Sequence, residues 1–285
     1  MRRSHPTSMA LFRRKSARAP DPATAEPARR RRVVYAPVTF SEEAGVRYLH
    51  FGTEWVQGAM RLKAPDVIEL EYAQQMMIGL LFVHQPARIV QLGLGAAALT
   101  KFCYRNLTGA SVTAVELNAG VVRAARAMFR LPPDDLRLSV IEEDAWDFVG
   151  AEYNQGSIDL LHIDLYDAAA RGPVLDSEPF YARCRACLRS PAVATVNLFG
   201  EHPSFAKNEK TLKAAFAGRV AFLPEVHQGN RVAVAFQGPD LDVSFADLYE
   251  RAESIETLYA LPATSWVHGL RMSDPRHVRG ARFRI

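Results

Sequence analysis

With 285 residues and 48% apolar composition, the chain can bury one sizeable core. No apolar run reaches the ~18–20 residues needed to cross a bilayer, so no membrane-spanning helix is expected. The net charge of +4 is uneven: residues 1–32 hold ten Lys/Arg against Asp21 and Glu26, which leaves residues 33–285 at −4. The basic character therefore belongs to a tail and argues against a nucleic-acid-binding fold.

Taken in chain order, residues 1–32 are a Pro/Ala/Arg-rich stretch that cannot build a core, and are expected to be a disordered basic tail. Residues 33–64 read as a small N-terminal β-lobe, from the alternating apolar positions of VRYLHFG and EWVQGAMRL. Pro65 and Asp66 then open an apolar-periodic helix, DVIELEYAQQMMIGLLFVH, with Val67, Leu70, Met77 and Leu81 on its buried face.

Residues 65–262 are expected to form one larger domain, in which short apolar strands alternate with helices from residue 88 onward. RIVQLGL, SVTAVEL, LRLSVIEED, SIDLLHID and AVATVNLF are expected strands, and RVAFLPEV and RVAVAFQ the last two. This alternation predicts an α/β fold, a parallel sheet covered on both faces. VSFADLYERAESIETLYAL is a late amphipathic helix, and residues 263–285 read as a second basic tail. Cys103, Cys184 and Cys187 make no metal pattern, since the CxxC of the last two falls on an expected helix with no second pair. They read as buried thiols of a reducing, cytoplasmic compartment. The eight histidines show no metal spacing, so no metal is expected.

In such sheets, ligands bind beyond the strand C-termini. The first strand runs into GLGAAAL, whose small residues let a ligand approach the backbone. Glu116 ends the next strand, about 20 residues on, where an acid can accept from both ribose hydroxyls. Asp144 and the Ala145 N–H follow the third strand and suit an adenine edge; a helix N-cap is the plain rival for Asp144. Three such signals in order indicate an adenosine-type pocket. After the fourth strand come Asp164 and Asp167. His162 points to the opposite face by strand alternation and reads as a packed histidine. Asn197 and His202, at and after the next strand end, are candidate substrate contacts.

The order of the Gly-loop, VELN, EDAWDF, IDLYD and EPFYARCRACL resembles the spermidine synthase-like family, the polyamine aminopropyltransferases. WVQGAMRL before a Tyr/Gln/Met-rich helix is similar to that family's entry segment, so the likeness covers roughly residues 45–237. It implies a Rossmann-like S-adenosyl-transferase domain with a small β-lobe, usually dimeric, and decarboxylated S-adenosylmethionine as co-substrate. It further implies Gln91, Gly93, Gly95, Glu116, Asp144 and Ala145 around the donor, Asp164 as the base and Asp167 holding the acceptor amine. Arg61, Gln74, Gln75 and His202 would line the acceptor side.

Several positions depart from the family pattern. The acid that grips the donor's amino group is Gly95 here, the gate Gln is Arg61, and the helix acid is a Gln in Gln74-Gln75. The late Tyr-bearing segment has His227 and no Tyr. Three alternatives stay open: a methyltransferase using ordinary S-adenosylmethionine, a non-catalytic nucleoside- or amine-binding homologue, and a nucleic-acid partner of the basic tail.

Overall fold

The computed structural model describes residues 35–167, 172–200, 202–226 and 229–285. The 1–32 tail and His227 lie outside the described residues. Three short strands, β1 (Val38–Glu43), β2 (Val46–Phe51) and β3 (Gly58–Arg61), form an antiparallel sheet in the order β1-β2-β3. Ala44 and Gly45, at φ 49° and 79°, make the two-residue turn that matches strand twist in a tight hairpin.

The next helix is shorter than the periodicity predicts. Residues 65–70 are not helical; α1 covers Glu71–Met76 and continues as a 3₁₀ turn over Met77–Leu81. Side chains take the carbonyls a longer helix would use. Lys101 Nζ donates to the Pro65 oxygen (2.7 Å) and Gln74 Nε2 to the Ile68 oxygen (2.8 Å). Val67 is therefore 52% exposed, against expectation, while Met77 and Leu81 are buried.

The remaining elements are β4 (Arg88–Leu92), α2 (Ala98–Asn106), β5 (Ser111–Glu116), α3 (Ala119–Met128), β6 (Leu138–Glu142), α4 (Ala145–Gly150), β7 (Ile158–Ile163), α5 (Glu178–Cys187), β8 (Leu188–Phe199), α6 (Phe205–Ala215), β9 (Val220–Phe222) and β10 (Asn230–Gln237). Then come β11 (Asp242–Ser244), α7 (Phe245–Tyr259), α8 (Ala263–Arg271), β12 (Val278–Arg279) and β13 (Arg282–Arg284). The large sheet runs β6-β5-β4-β7-β8-β10-β9. It is parallel from β6 through β8, and β10 is antiparallel to both its neighbours, so the all-parallel expectation fails at one strand.

Strand alternation sorts the core onto two faces. Ile89, Val112, Leu160 and Val232 pack toward α2, α3, α7 and α8. Val90, Leu161, Ile163 and Ala233 pack toward α4, α5 and α6. A smaller cluster of Leu49, Met60, Ala96 and Phe129 joins the β-lobe to the glycine loop.

Residues 263–285 are not a tail. Ala263, Trp266, Val267 and Leu270 of α8 are buried, and β13 pairs with β11. Arg282 and Arg284, which suggested a solvated tail, both pair with Asp242 while Phe283 points into the core.

Candidate active site

The sheet order places the site. The chain moves outward from β4 to β6 and then returns to lay β7 against β4, so strand order reverses between β4 and β7. Leu92 and Ile163 are register partners there, and the Asp164 N–H donates to the Leu92 carbonyl (2.9 Å). Gly93 and Asp164, 71 positions apart in the numbering, leave the sheet side by side.

On the β4 side, Gly93 has φ +88° and Gly95 φ +52°. A Cβ on Gly95 would lie 3.0 Å from the Gln57 oxygen, and one on Gly58 would meet Ala96, so the β-lobe's entry to β3 closes over the loop. Gln91 is buried and accepts from Thr100 Oγ1 (2.5 Å), which ties β4 to α2.

Glu116 braces the loop from β5. Its Oε2 accepts from the Leu94 N–H (3.0 Å) and its Oε1 from the Asn118 N–H (2.8 Å). Burial pushes this carboxyl above its usual range, and the N–H groups of Asn118, Leu94 and Leu117 oppose that. The two oxygens have four lone-pair sites between them, so acceptor capacity remains beside these N–H donors.

Asp144 caps α4, with Oδ1 accepting from the Trp146 N–H (2.8 Å). The cap that rivalled the adenine reading is therefore present and uses one of its two oxygens. Ala145 is buried beside it. The Trp146 ring is engaged by the Arg183 guanidinium, 4.0 Å from its centroid, and stacks with Phe180.

Asp164 has two side-chain donors. Asn197 Nδ2 donates to Oδ1 (2.8 Å) from the end of β8, and the Tyr72 hydroxyl to Oδ2 (3.3 Å) from α1. Burial raises the Asp164 carboxyl above its ordinary value, and these two donors pull it back. Burial and the neighbouring Asp164 charge drive the Tyr72 hydroxyl well up, so it stays protonated and remains a donor. A partly desolvated carboxylate with raised basicity is suited to take a proton from an incoming cation.

The other expected site residues are placed less directly. Gln57 Nε2 donates to the Asp167 carbonyl (3.2 Å), and residues 168–171 after it are outside the described set. Arg61 forms a two-pronged ion pair with Glu69, at 2.9 and 2.5 Å, so the acid next to it balances its charge. Gln74 is spent on the Ile68 carbonyl. Gln75 Oε1 is buried without a hydrogen-bond partner among the described residues. His202 bonds Ser204 through Nδ1 (2.7 Å) at the start of α6 and is exposed. None of these four has a hydrogen bond to Asp164 among the described residues.

His162 is the packed histidine expected: it is buried, bonds Thr195 Oγ1 (2.8 Å), and burial lowers it to about 4. It does not point to the opposite face, because Thr195 and Asn197, the partners of His162 and Asp164, alternate onto one side of β8. Among the described residues no group of His, Cys, Asp and Glu is arranged to hold a metal ion. No helix among them is long and apolar enough to cross a membrane.

Sequence reasoning missed Gln57, Tyr72, Tyr166 and Asn230. Tyr72 stood in the same EYAQQ segment as Gln74 and Gln75, and Asn230 directly follows a glycine at a strand start; both were available signals.

No protein-family model matches the chain. It is 31% identical over 247 residues to the polyamine aminopropyltransferase of Neisseria meningitidis serogroup A, a match covering 85% of this chain and 92% of that one. It is 32% identical over 238 residues to the polyamine aminopropyltransferase of Chromobacterium violaceum, covering 83% and 90%. Among solved structures, a probable spermidine synthase from Corynebacterium glutamicum superposes with a TM-score of 0.64 at 18% identity, over 81% of this chain and 88% of that one. Human methyltransferase-like protein 13, solved in complex with SAH, gives 0.59 at 19% identity, over 67% and 93%. At these identities the structures share a fold with this chain.

Proposed function

The chain belongs to the polyamine aminopropyltransferases, and on that footing we propose that it transfers an aminopropyl group from decarboxylated S-adenosylmethionine to a diamine such as putrescine, with Asp164 as the base. The observation that carries the reading is the position of Asp164. It is a carboxylate at the sheet's switch point, against the glycine loop on one side and two hydrogen-bond donors on the other.

Glu116 offers its remaining acceptor capacity to the ribose hydroxyls, and Asp144 with the Ala145 N–H meets the adenine. Gly93 and Gly95 leave room for the donor against the backbone. Asp164 attracts the acceptor ammonium, orients it and takes one proton as nitrogen attacks the carbon beside the sulfonium. The C–N bond forms as the C–S bond breaks. The bonding pair goes to sulfur, which leaves as a neutral thioether and needs no acid. Asp167 helps hold the acceptor, and the assembly is a homodimer.

One observation favours a second reading. Gly95 stands where the family carries an acid for the donor's amino group, so ordinary S-adenosylmethionine and methyl transfer are the competing chemistry. Calorimetric titration with decarboxylated and ordinary S-adenosylmethionine and with methylthioadenosine separates the two. Tighter binding of the decarboxylated form is expected. Preference for the ordinary form points to methyl transfer, and binding of none removes the transferase reading.

A further inference from the structure

Two buried asparagines stand behind Asp164, and only the nearer, Asn197, has entered the reading above. Asn197, 2% exposed, lies near the end of β8, and Asn230, 6% exposed, opens β10. The antiparallel register pairs Asn230 with Phe199, which brings the two side chains together. Asn230 Nδ2 donates to Asn197 Oδ1 (2.9 Å), and Asn197 Nδ2 donates to Asp164 Oδ1 (2.8 Å).

The direction of this chain follows from what each group can do. An ionised carboxylate only accepts, so Asn197 must turn its NH₂ toward Asp164 and its oxygen away. That oxygen then needs a donor. The Asn230 NH₂ supplies it, 2.9 Å away. The Tyr166 hydroxyl donates to the Asn197 backbone carbonyl (3.2 Å) and so holds the same strand end.

We propose that Asn230 is a positioning residue that fixes the orientation of the Asn197 amide and so keeps an N–H donated to Asp164. The assignment rests on the reading of Asp164 as the group that meets the acceptor amine. Without Asn230, the Asn197 amide is free to turn its oxygen toward the carboxylate, which replaces attraction by repulsion. The other titratable groups facing Asp164 are Tyr72 from α1 and Tyr166 from the segment after β7. Burial raises both, so both stay neutral over the working pH range. His162, one pleat back on the same face of β7, is held by Thr195, and burial keeps its ring neutral.

The test is the titration of the Asp164 carboxyl by ¹³C NMR on aspartate-labelled protein, with the signal assigned by its loss in Asp164→Asn. Asn230→Leu and the smaller, strand-compatible Asn230→Val are compared with the unsubstituted chain after a melting curve establishes folding. The expected result is an upward shift of Asp164 by roughly one pH unit, the effect of losing one hydrogen bond to a charge. In an Asn197→Leu background, Asn230→Leu should add nothing, because its effect runs through Asn197. An unchanged titration in both Asn230 variants, or an equal shift in the Asn197→Leu background, overturns the proposal. Failure of the unsubstituted chain to make an aminopropylated product would defeat the proposed function and leave the titration result standing.

Discussion

Gly93 presses flat against the backbone of Asp164: a Cβ on Gly93 would lie 2.1 Å from the Asp164 carbonyl oxygen. The residue that opens the donor loop and the residue read as the base are therefore packed into one another. Gly93 also sits at φ +88°, where L side chains are strained.

Gly93→Ala should consequently damage both stability and donor binding. Strain and a backbone clash together should cost about 3 kcal/mol or more. Thermal melting and methylthioadenosine titration check this. A variant with unchanged melting and affinity would show that the loop has slack here.

Asp164→Asn should separate stability from activity. Burial raises the folded-state carboxyl above its unfolded value, so ionisation at neutral pH opposes folding. That cost disappears as pH falls through the raised value, because the folded form then holds its proton. The variant should therefore melt higher than the parent at pH 7, with the gain shrinking toward acid. Melting curves across pH test the sign, and a variant that melts lower at pH 7 contradicts it.

His162 should govern part of the acid sensitivity. Its folded value of about 4 lies below the usual 6.5, so the unfolded state binds the proton first as pH drops. The neutral ring's contribution is complete above about 6.5 and is lost as pH falls from there toward about 4. His162→Gln should flatten that limb of the stability curve. It should leave turnover within about twofold, because the ring is buried against Thr195 and has no hydrogen bond to Asp164 among the described residues.

Glu116→Gln tests the ribose role against the bracing role. Gln retains one acceptor oxygen and places an NH₂ where the second carboxylate oxygen faced an N–H. Donor affinity should fall by about 10- to 100-fold with a modest loss of stability. A lowered melting temperature with unchanged affinity would leave Glu116 as a brace only.

Much of this arrangement was legible because it lies at strand ends. Glu116, Asp144 and Asp164 each follow an apolar run, and the β/α alternation says that those ends converge. The supports were less legible. Asn197 stood out at a strand end as a substrate contact, not as a donor to Asp164, and its own partner depends on β10 running antiparallel, which no local pattern announces. The shortened α1 depends on Lys101 reaching the Pro65 carbonyl from 36 residues away. The structured C-terminus was hidden by its arginines, although the alternation of Arg282, Phe283 and Arg284 is that of a strand with one face buried.

The central claim is that Asp164 receives the proton in aminopropyl transfer. The most direct measurement is spermidine formation from putrescine and decarboxylated S-adenosylmethionine, followed by mass spectrometry, for the unsubstituted chain and for Asp164→Asn. The account predicts product from the former and a loss of about 10²-fold or more in kcat for the latter, the scale of a general base. Spermidine formed at an unchanged rate by Asp164→Asn would contradict it.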